Sequence, residues 1–244
     1  MKKFYFLDES GDAEFFGKRG KKLWEYEGWH PILIMGLLET NDRKRLRKDV
    51  LEFQENILND VYYNSIDSMK VENHFFHARS DHTDVRAAFF QFLRSRNDFK
   101  CYFSIVEKEP AEFIEVFDKK PTRFYFHVVE QLLDLPIYNY QDEHSFYLSR
   151  RNKTTNDDFD RVIKAALNKE MQQENILYSA DIVKSSEYPE LCVIDYMLWA
   201  LQRWIMKGEA RFIKAMADKI TYVSNSKGGL FEKTTVEEFL NKKI

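Results

Sequence analysis

The stretch Phe4-Tyr5-Phe6-Leu7-Asp8-Glu9-Ser10-Gly11 places two acids directly behind four large apolar side chains. Lys3 to Leu7 reads as a short strand, and its unbroken apolar run suits a central position in a layered sheet. Alternation sets Asp8 on the face of Phe4 and Phe6, and Glu9 on the face of Tyr5 and Leu7. The acids stand at the carboxyl end of the strand, where open α/β sheets gather ligands. Asp before Ser-Gly is also a common turn former, and the polar Asp8-Glu9-Ser10-Gly11 is read as a turn.

Working outward, 12–29 is rich in charge and glycine and reads as a loop or loose hairpin, followed by a continuously apolar second strand at Pro31 to Leu38. Helical spacing follows over 42–58, with a basic first turn, and over 85–93. A third strand is predicted at Phe99 to Val106 and a helix at Phe124 to Leu135, ended by Pro136. Ser145 to Leu148 and Ile176 to Val183 read as strands, flanking a helix at Asp158 to Met171. The strongest helix is Pro189 to Met206, with proline in its first turn and Glu187 and Glu190 near its positive end. The tail carries a short helix and a loop over 224–229. This alternation predicts α/β layering on a mixed sheet. The whole chain, 1–244, is read as one domain, with a helical insertion at about 42–97 and a C-terminal extension at about 208–244.

The chain has 244 residues, 44% of them hydrophobic and 16% aromatic, which is ample material for a sizeable core. A formal net charge of -3 excludes a basic coat, so nucleic-acid contact has to come from local patches. The two cysteines, Cys101 and Cys192, lie in apolar surroundings and show no disulfide or zinc spacing. With no signal-peptide core and no membrane-length apolar run, the expected location is the cytoplasm, with no membrane partner.

Asp195 is the residue hardest to explain as ordinary structure. From Leu191 to Met206 it is the only acid in a helix apolar on nearly every side. An unpaired carboxylate there is costly, so it requires a cation, a donor network or an opening to a cleft. An arginine such as Arg203 or Arg211, or a capping bond to a loop, would satisfy it; so would a functional site. Two carboxylates from distant parts of a chain also form the usual holder for a hard divalent cation, since Mg²⁺ commonly takes one or two protein carboxylates and water for the rest.

These residues carry a resemblance. Phe4 to Gly11 resembles the opening box of the bacterial domain-of-unknown-function 3800 family, whose members are similar in fold to ribonuclease H and retroviral integrases. The run Ser185-Ser186-Glu187-Tyr188-Pro189-Glu190-Leu191-Cys192-Val193-Ile194-Asp195 resembles its second signature, a serine turn leading into a late helix. Phe75-Phe76-His77-Ala78, followed by Ser80-Asp81, resembles a weaker middle box. The resemblance implies a ribonuclease H-like mixed sheet of about five strands flanked by helices. It also implies that the first strand and the late helix each bring a metal-binding carboxylate to one cleft, which here are Asp8 and Asp195, with Glu9 as an assisting acid. The sequence departs from the pattern at four places: Ser149 stands where the fourth strand often ends in aspartate, Lys184 where an acid adjoins the serine turn, Cys192 for a glutamine, and Phe75 for the middle acid. Glu72, Asp157 and Asp181 are the acids that could compensate.

Among other clusters, His74, His77 and His82 with Asp81 and Asp84 suit zinc or manganese chemically, although histidines in a polar loop are more often surface residues. His77 is the best of them, as a phosphate contact or an acid or base. Basic runs occur at 18–22, 43–48 and 150–153. The first and third flank strand ends and could grip a nucleic-acid backbone, with Trp24, Tyr26 and Trp29 beside the first. A haloacid-dehalogenase-like reading fails at Ser10, where a second aspartate is needed.

The expectation is therefore a nuclease dependent on Mg²⁺ or Mn²⁺. Asp8 and Asp195 would hold the ion, with Glu9 and His77 assisting, and Ser149, Arg150, Arg151 and Ser185 would contact substrate. The alternative is a catalytically degraded ribonuclease H-like module that binds nucleic acid or a protein partner, in bacterial defence or mobile-element biology, and is motivated by Ser149, Lys184 and Cys192.

Overall fold

The computed structural model describes residues 1–70, 74–134, 141–151, 154–171, 176–225 and 230–231. Its strands are β1 (Lys2–Ser10), β2 (Ile32–Thr40), β3 (Lys100–Glu107), β4 (Glu143–Ser149), β5 (Tyr178–Val183), β6 (Ile220–Asn225) and β7 (Leu230–Phe231). Its helices are α1 (Arg43–Asn59), α2 (Thr83–Arg94), α3 (Pro110–Glu115), α4 (Pro121–Leu133), α5 (Asn156–Met171), α6 (Glu190–Lys207) and α7 (Arg211–Ala215). They build one mixed sheet in the order β5-β4-β1-β2-β3-β6-β7. β1, β2 and β3 form an antiparallel meander, while β4 lies parallel to β1 and β5 parallel to β4. The mixed five-strand arrangement expected from the sequence is present and ribonuclease H-like in its strand order and directions.

Two expectations need correction. β1 does not stop at Leu7. It continues through Asp8, Glu9 and Ser10, which pair with Gly36, Met35 and Ile34 of β2, because the long apolar β2 offers ladder partners beyond the apolar run of β1. A turn follows at Gly11, whose φ of +99° and approach to the Ile32 carbonyl exclude a Cβ. The tail contains more than a short helix and a loop: after α7 the alternating Ile220-Thr221-Tyr222-Val223 adds β6 beside β3 in parallel, and Ser224 belongs to that strand. The polar residues around this segment hide its strand pattern. Residues 226–229, Leu135 and Pro136 lie outside the described residues.

The sheet separates two apolar layers. Phe6, Ile34, Leu38 and Phe103 pack beneath α1, α2, α6 and α7, whereas Tyr5, Leu7, Leu33, Met35 and Leu37 pack beneath α3, α4 and α5. β2 is buried along its whole length because both faces are covered, which explains its unbroken apolar run. Within the first nine residues of α6 (190–198) every position except Asp195 is buried. The basic start of α1 is only in part a solvated face: Lys44, Arg45 and Lys48 are exposed, whereas Arg43 and Arg47 turn toward α6. Glu190, fully buried in the first turn of α6, accepts from Arg43 Nε at 2.9 Å and pairs with Arg47 Nη1 at 3.2 Å. Arg43 also stacks over Tyr147 at 4.6 Å. This clamp fixes the start of α6, and losing either side would strand a buried charge.

α6 approaches the sheet closely at Gly36, the register partner of Asp8. A Cβ there would lie 2.9 Å from Leu198 Cγ and 3.0 Å from Ile194 Cδ1. Gly36→Ala should therefore lift α6 and lower stability by about 1–3 kcal/mol, the usual cost of overpacking. Urea unfolding measures this, and a midpoint equal to wild type would show that α6 is not held so tightly.

Candidate functional site

Asp8 lies on the α6 side of β1, as strand alternation predicts. Pairing of β1 with β4 ends at Leu7–Leu148, while pairing with β2 runs three residues further. Asp8 therefore sits where β4 parts from β1. The Ser149 hydroxyl at the end of β4 and the Glu9 backbone N–H lie near its carboxylate and favour its charged form. Ser149 Oγ in turn lies 2.7 Å from Ser185 Oγ, so the serine turn before α6 reaches Asp8 through one intervening hydroxyl. Burial, then the charges on Glu9 and Asp195, push the Asp8 carboxyl well above its ordinary range. The charge on Asp195 is thus near enough to Asp8 to raise its carboxyl.

Asp195 has no arginine. Arg203 Nε donates to Glu209 at 2.8 Å, and Arg211 pairs with Glu209 as well. The partner of Asp195 is a loop: Ala78 N–H donates to Oδ2 at 2.7 Å, and His77 Nε2 stands 3.5 Å from Oδ1. Burial raises the Asp195 carboxyl to about 6, against the pull of His77 and the Ala78 N–H. The side chain remains 13% exposed and His77 46% exposed, so the site opens to solvent. Asp195 thus has a loop N–H as its partner and is partly open to solvent.

The 77–81 turn that delivers these groups is itself anchored. The Asp81 carboxylate takes the His77 N–H at 3.0 Å, His74 Nε2 at 3.1 Å and the Tyr196 hydroxyl from α6. His77 Nδ1 accepts from Arg79 N–H at 3.2 Å. In the neutral ring the proton is therefore on Nε2, the nitrogen nearest Asp195. The histidines do not converge: His74 serves Asp81, His77 faces Asp195, and His82 lies 3.6 Å from Asp84.

Glu9 is not brought to this group. It points to the opposite face, where Tyr125 donates to it at 3.0 Å and Arg151 lies 3.3 Å away. Burial raises its carboxyl, and Arg151 and Tyr125 oppose the rise. Arg151 therefore leaves the substrate list for this face, while Arg150 stays exposed, its N–H bonded to the Val183 carbonyl. Asp157 and Asp181 are exposed, on α5 and β5; Glu72 and Lys153 lie outside the described residues. In the 12–29 segment, Trp24 packs edge-on against Phe16 and Trp29 lies over Lys108, so both are packing residues.

Sequence reasoning missed Tyr125, Tyr196, Gly36 and the Ala78 N–H. Only Gly36, a glycine inside an apolar strand, carried a signal of close approach.

The donor set suits a hard cation in part. It consists of two oxygen acids with raised affinity for protons, no basic residue on Asp8, and a hydroxyl beside it. Among the described residues no group of three or more His, Cys, Asp or Glu side chains could hold a metal. The residues present thus offer a hard cation at most two carboxylates, with water for the rest, and do not build a closed cage.

Among the described residues no helix is long and apolar enough to cross a membrane. No family model matches the chain, and no curated protein matches it. Among solved structures, a chain of the PCNA:RNase HII complex from Archaeoglobus fulgidus is similar at 14% identity and a TM-score of 0.44, over 86% of this chain and 78% of that one. So slight a likeness carries no weight for function. The ribonuclease H-like arrangement is seen in the strand order and directions of this chain itself.

Proposed function

We propose that this protein is a divalent-metal-dependent nuclease of the kind the sequence boxes resemble, hydrolysing phosphodiester bonds at the Asp8–Asp195 site. The observation that carries the reading is that these two acids, 187 positions apart in the sequence, lie near enough for the charge on Asp195 to raise the Asp8 carboxyl, while Asp195 stays partly open to solvent and has a histidine and a loop N–H rather than an arginine beside it. Asp8 and Asp195 would hold Mg²⁺ or Mn²⁺. When bound, the ion stabilises charge on the reacting phosphoryl group. Ser149 lies near Asp8 and favours its charged form. His77 presents the Nε2 proton at the mouth of the site, where it can donate a hydrogen bond to a phosphate oxygen. Arg150 is exposed just beyond Ser149 and is available to a phosphate. Asp8→Asn and Asp195→Asn should each lower Mn²⁺-dependent cleavage of labelled DNA or RNA at least 100-fold, and cleavage at wild-type rate by either variant would sink the proposal.

The second reading, a non-catalytic module descended from the same fold, is favoured by Ser149 in place of an acid and by Glu9 on the far face. Mn²⁺ titration separates the two. At 100 times Kd a bound ion adds about 2.7 kcal/mol, which should raise Tm by about 5 °C or more. That shift should vanish in Asp8→Asn. No shift in wild type favours the binding module.

The raised carboxyls also predict pH dependence without metal. Asp195 holds its proton more tightly folded, at about 6, than at its ordinary 3.8, so its stabilising contribution is complete below about pH 4. It is lost as pH rises through 6, and Asp8 acts in the same direction. The loss from Asp195 is on the order of 2–3 kcal/mol. Metal-free Tm should fall between pH 4 and 7.5, Asp195→Asn should flatten that fall, and a flat wild-type profile would contradict the assigned burial.

A further inference from the structure

Taking from the proposed nuclease reading only the location of the chemistry, we infer that the cavity behind the 77–81 turn is a phosphodiester subsite for a single nucleic-acid strand, with Arg79 as its main cation. The cavity, of about 640 Å³, is lined by Ser65, Ser68, Arg79, Ser80, Thr83 and Arg86, among others. It adjoins the loop that serves the carboxylate site: His77, 3.5 Å from Asp195, is two residues before Arg79. Arg79 is exposed, and its side chain makes no ion pair or hydrogen bond among the described residues. Arg86 is the fixed cation. Its guanidinium donates to the carbonyls of Ala78 and Asp81 and to Thr83 Oγ1, and it stacks over Trp199 at 4.8 Å. Arg86 Nε and Ser68 Oγ are shielded from solvent and have no hydrogen-bond partner among the described residues, so the groups that face the cavity are the Arg79 guanidinium and the hydroxyls of Ser65, Ser80 and Thr83.

The acids of this wall are already engaged. Asp67 pairs with Lys70 at 2.8 Å, and Asp81 is taken by His74, the His77 N–H and Tyr196. What remains toward a ligand is guanidinium and hydroxyl, the set that grips phosphate oxygens. A single strand is favoured over a duplex by Tyr62. It is 65% exposed, lies three residues before Ser65, and is braced edge-on by Tyr63 at 5.0 Å. An exposed ring of this kind can accept only an unstacked base.

The test uses labelled oligo(dT) and oligo(U), read by fluorescence anisotropy with the full chain in EDTA at two salt concentrations. Wild type should bind at least one of them. Arg79→Glu should weaken binding tenfold or more and Tyr62→Ala about fivefold, while Lys164→Glu on the far-side helix α5 should leave it unchanged, with Tm of all variants near wild type. The inference is overturned if wild type binds neither strand, if Arg79→Glu binds as wild type does, or if Lys164→Glu weakens binding equally. It is also overturned if inorganic phosphate binds through Arg79 while neither strand does. Because metal is absent, the two readings fail separately. Arg79-dependent binding without any Mn²⁺ shift removes the metal reading and keeps this one; a Mn²⁺ shift with Arg79-independent binding does the reverse.

Discussion

Helix α6 lies so close to β1 and β2 that one methyl group at Gly36 would collide with Leu198 and Ile194, and Asp195 is held where it is by that contact. The helix is apolar on nearly every side because it is covered on nearly every side, and the Arg43–Arg47–Glu190 clamp fixes its first turn. Asp195 is therefore not free to swing toward water as a surface acid would. It must be met where it stands, by a loop N–H and a histidine. The sheet meets it as well, since the strand residue opposite Gly36 is Asp8. Two buried carboxyls near each other are kept at a cost in solvation, and that cost raises their affinity for protons.

The loop that supplies those donors is organised from below. Asp81 gathers a backbone N–H, an imidazole and the Tyr196 hydroxyl, and so ties the 77–81 turn to the same helix that carries Asp195. Helix and loop move as one body in such an arrangement, and the tautomer of His77 follows from it, through the Arg79 N–H on Nδ1. Burial of the thiol pushes the neighbouring Cys192 well above the ordinary thiol range, so it is a packing residue there.

Much of this was legible in the sequence. Alternation along 4–9 placed Asp8 and Glu9 on opposite faces, and the isolation of Asp195 in an apolar helix marked it as needing a partner. The length of β1 was not legible, because its last three residues are polar and are recruited by a partner strand far along the chain. β6 escaped notice since a six-residue strand with polar neighbours has too little period to stand out. The role of the basic start of α1 was hidden because a charge run facing solvent and one clamping a buried glutamate read alike. Loop N–H groups such as that of Ala78 leave no trace in residue identity at all.

The adjacent acids Asp8 and Glu9 have one more consequence. They look out from opposite sides of a single strand, yet the charge on Glu9 raises the Asp8 carboxyl, so the sheet is electrically thin at this point. Tyr125, whose hydroxyl rests on Glu9, is held up by burial and by both acids. Any change of charge in the pocket beneath α6 is thus transmitted through the thickness of one backbone to a phenol in the other layer.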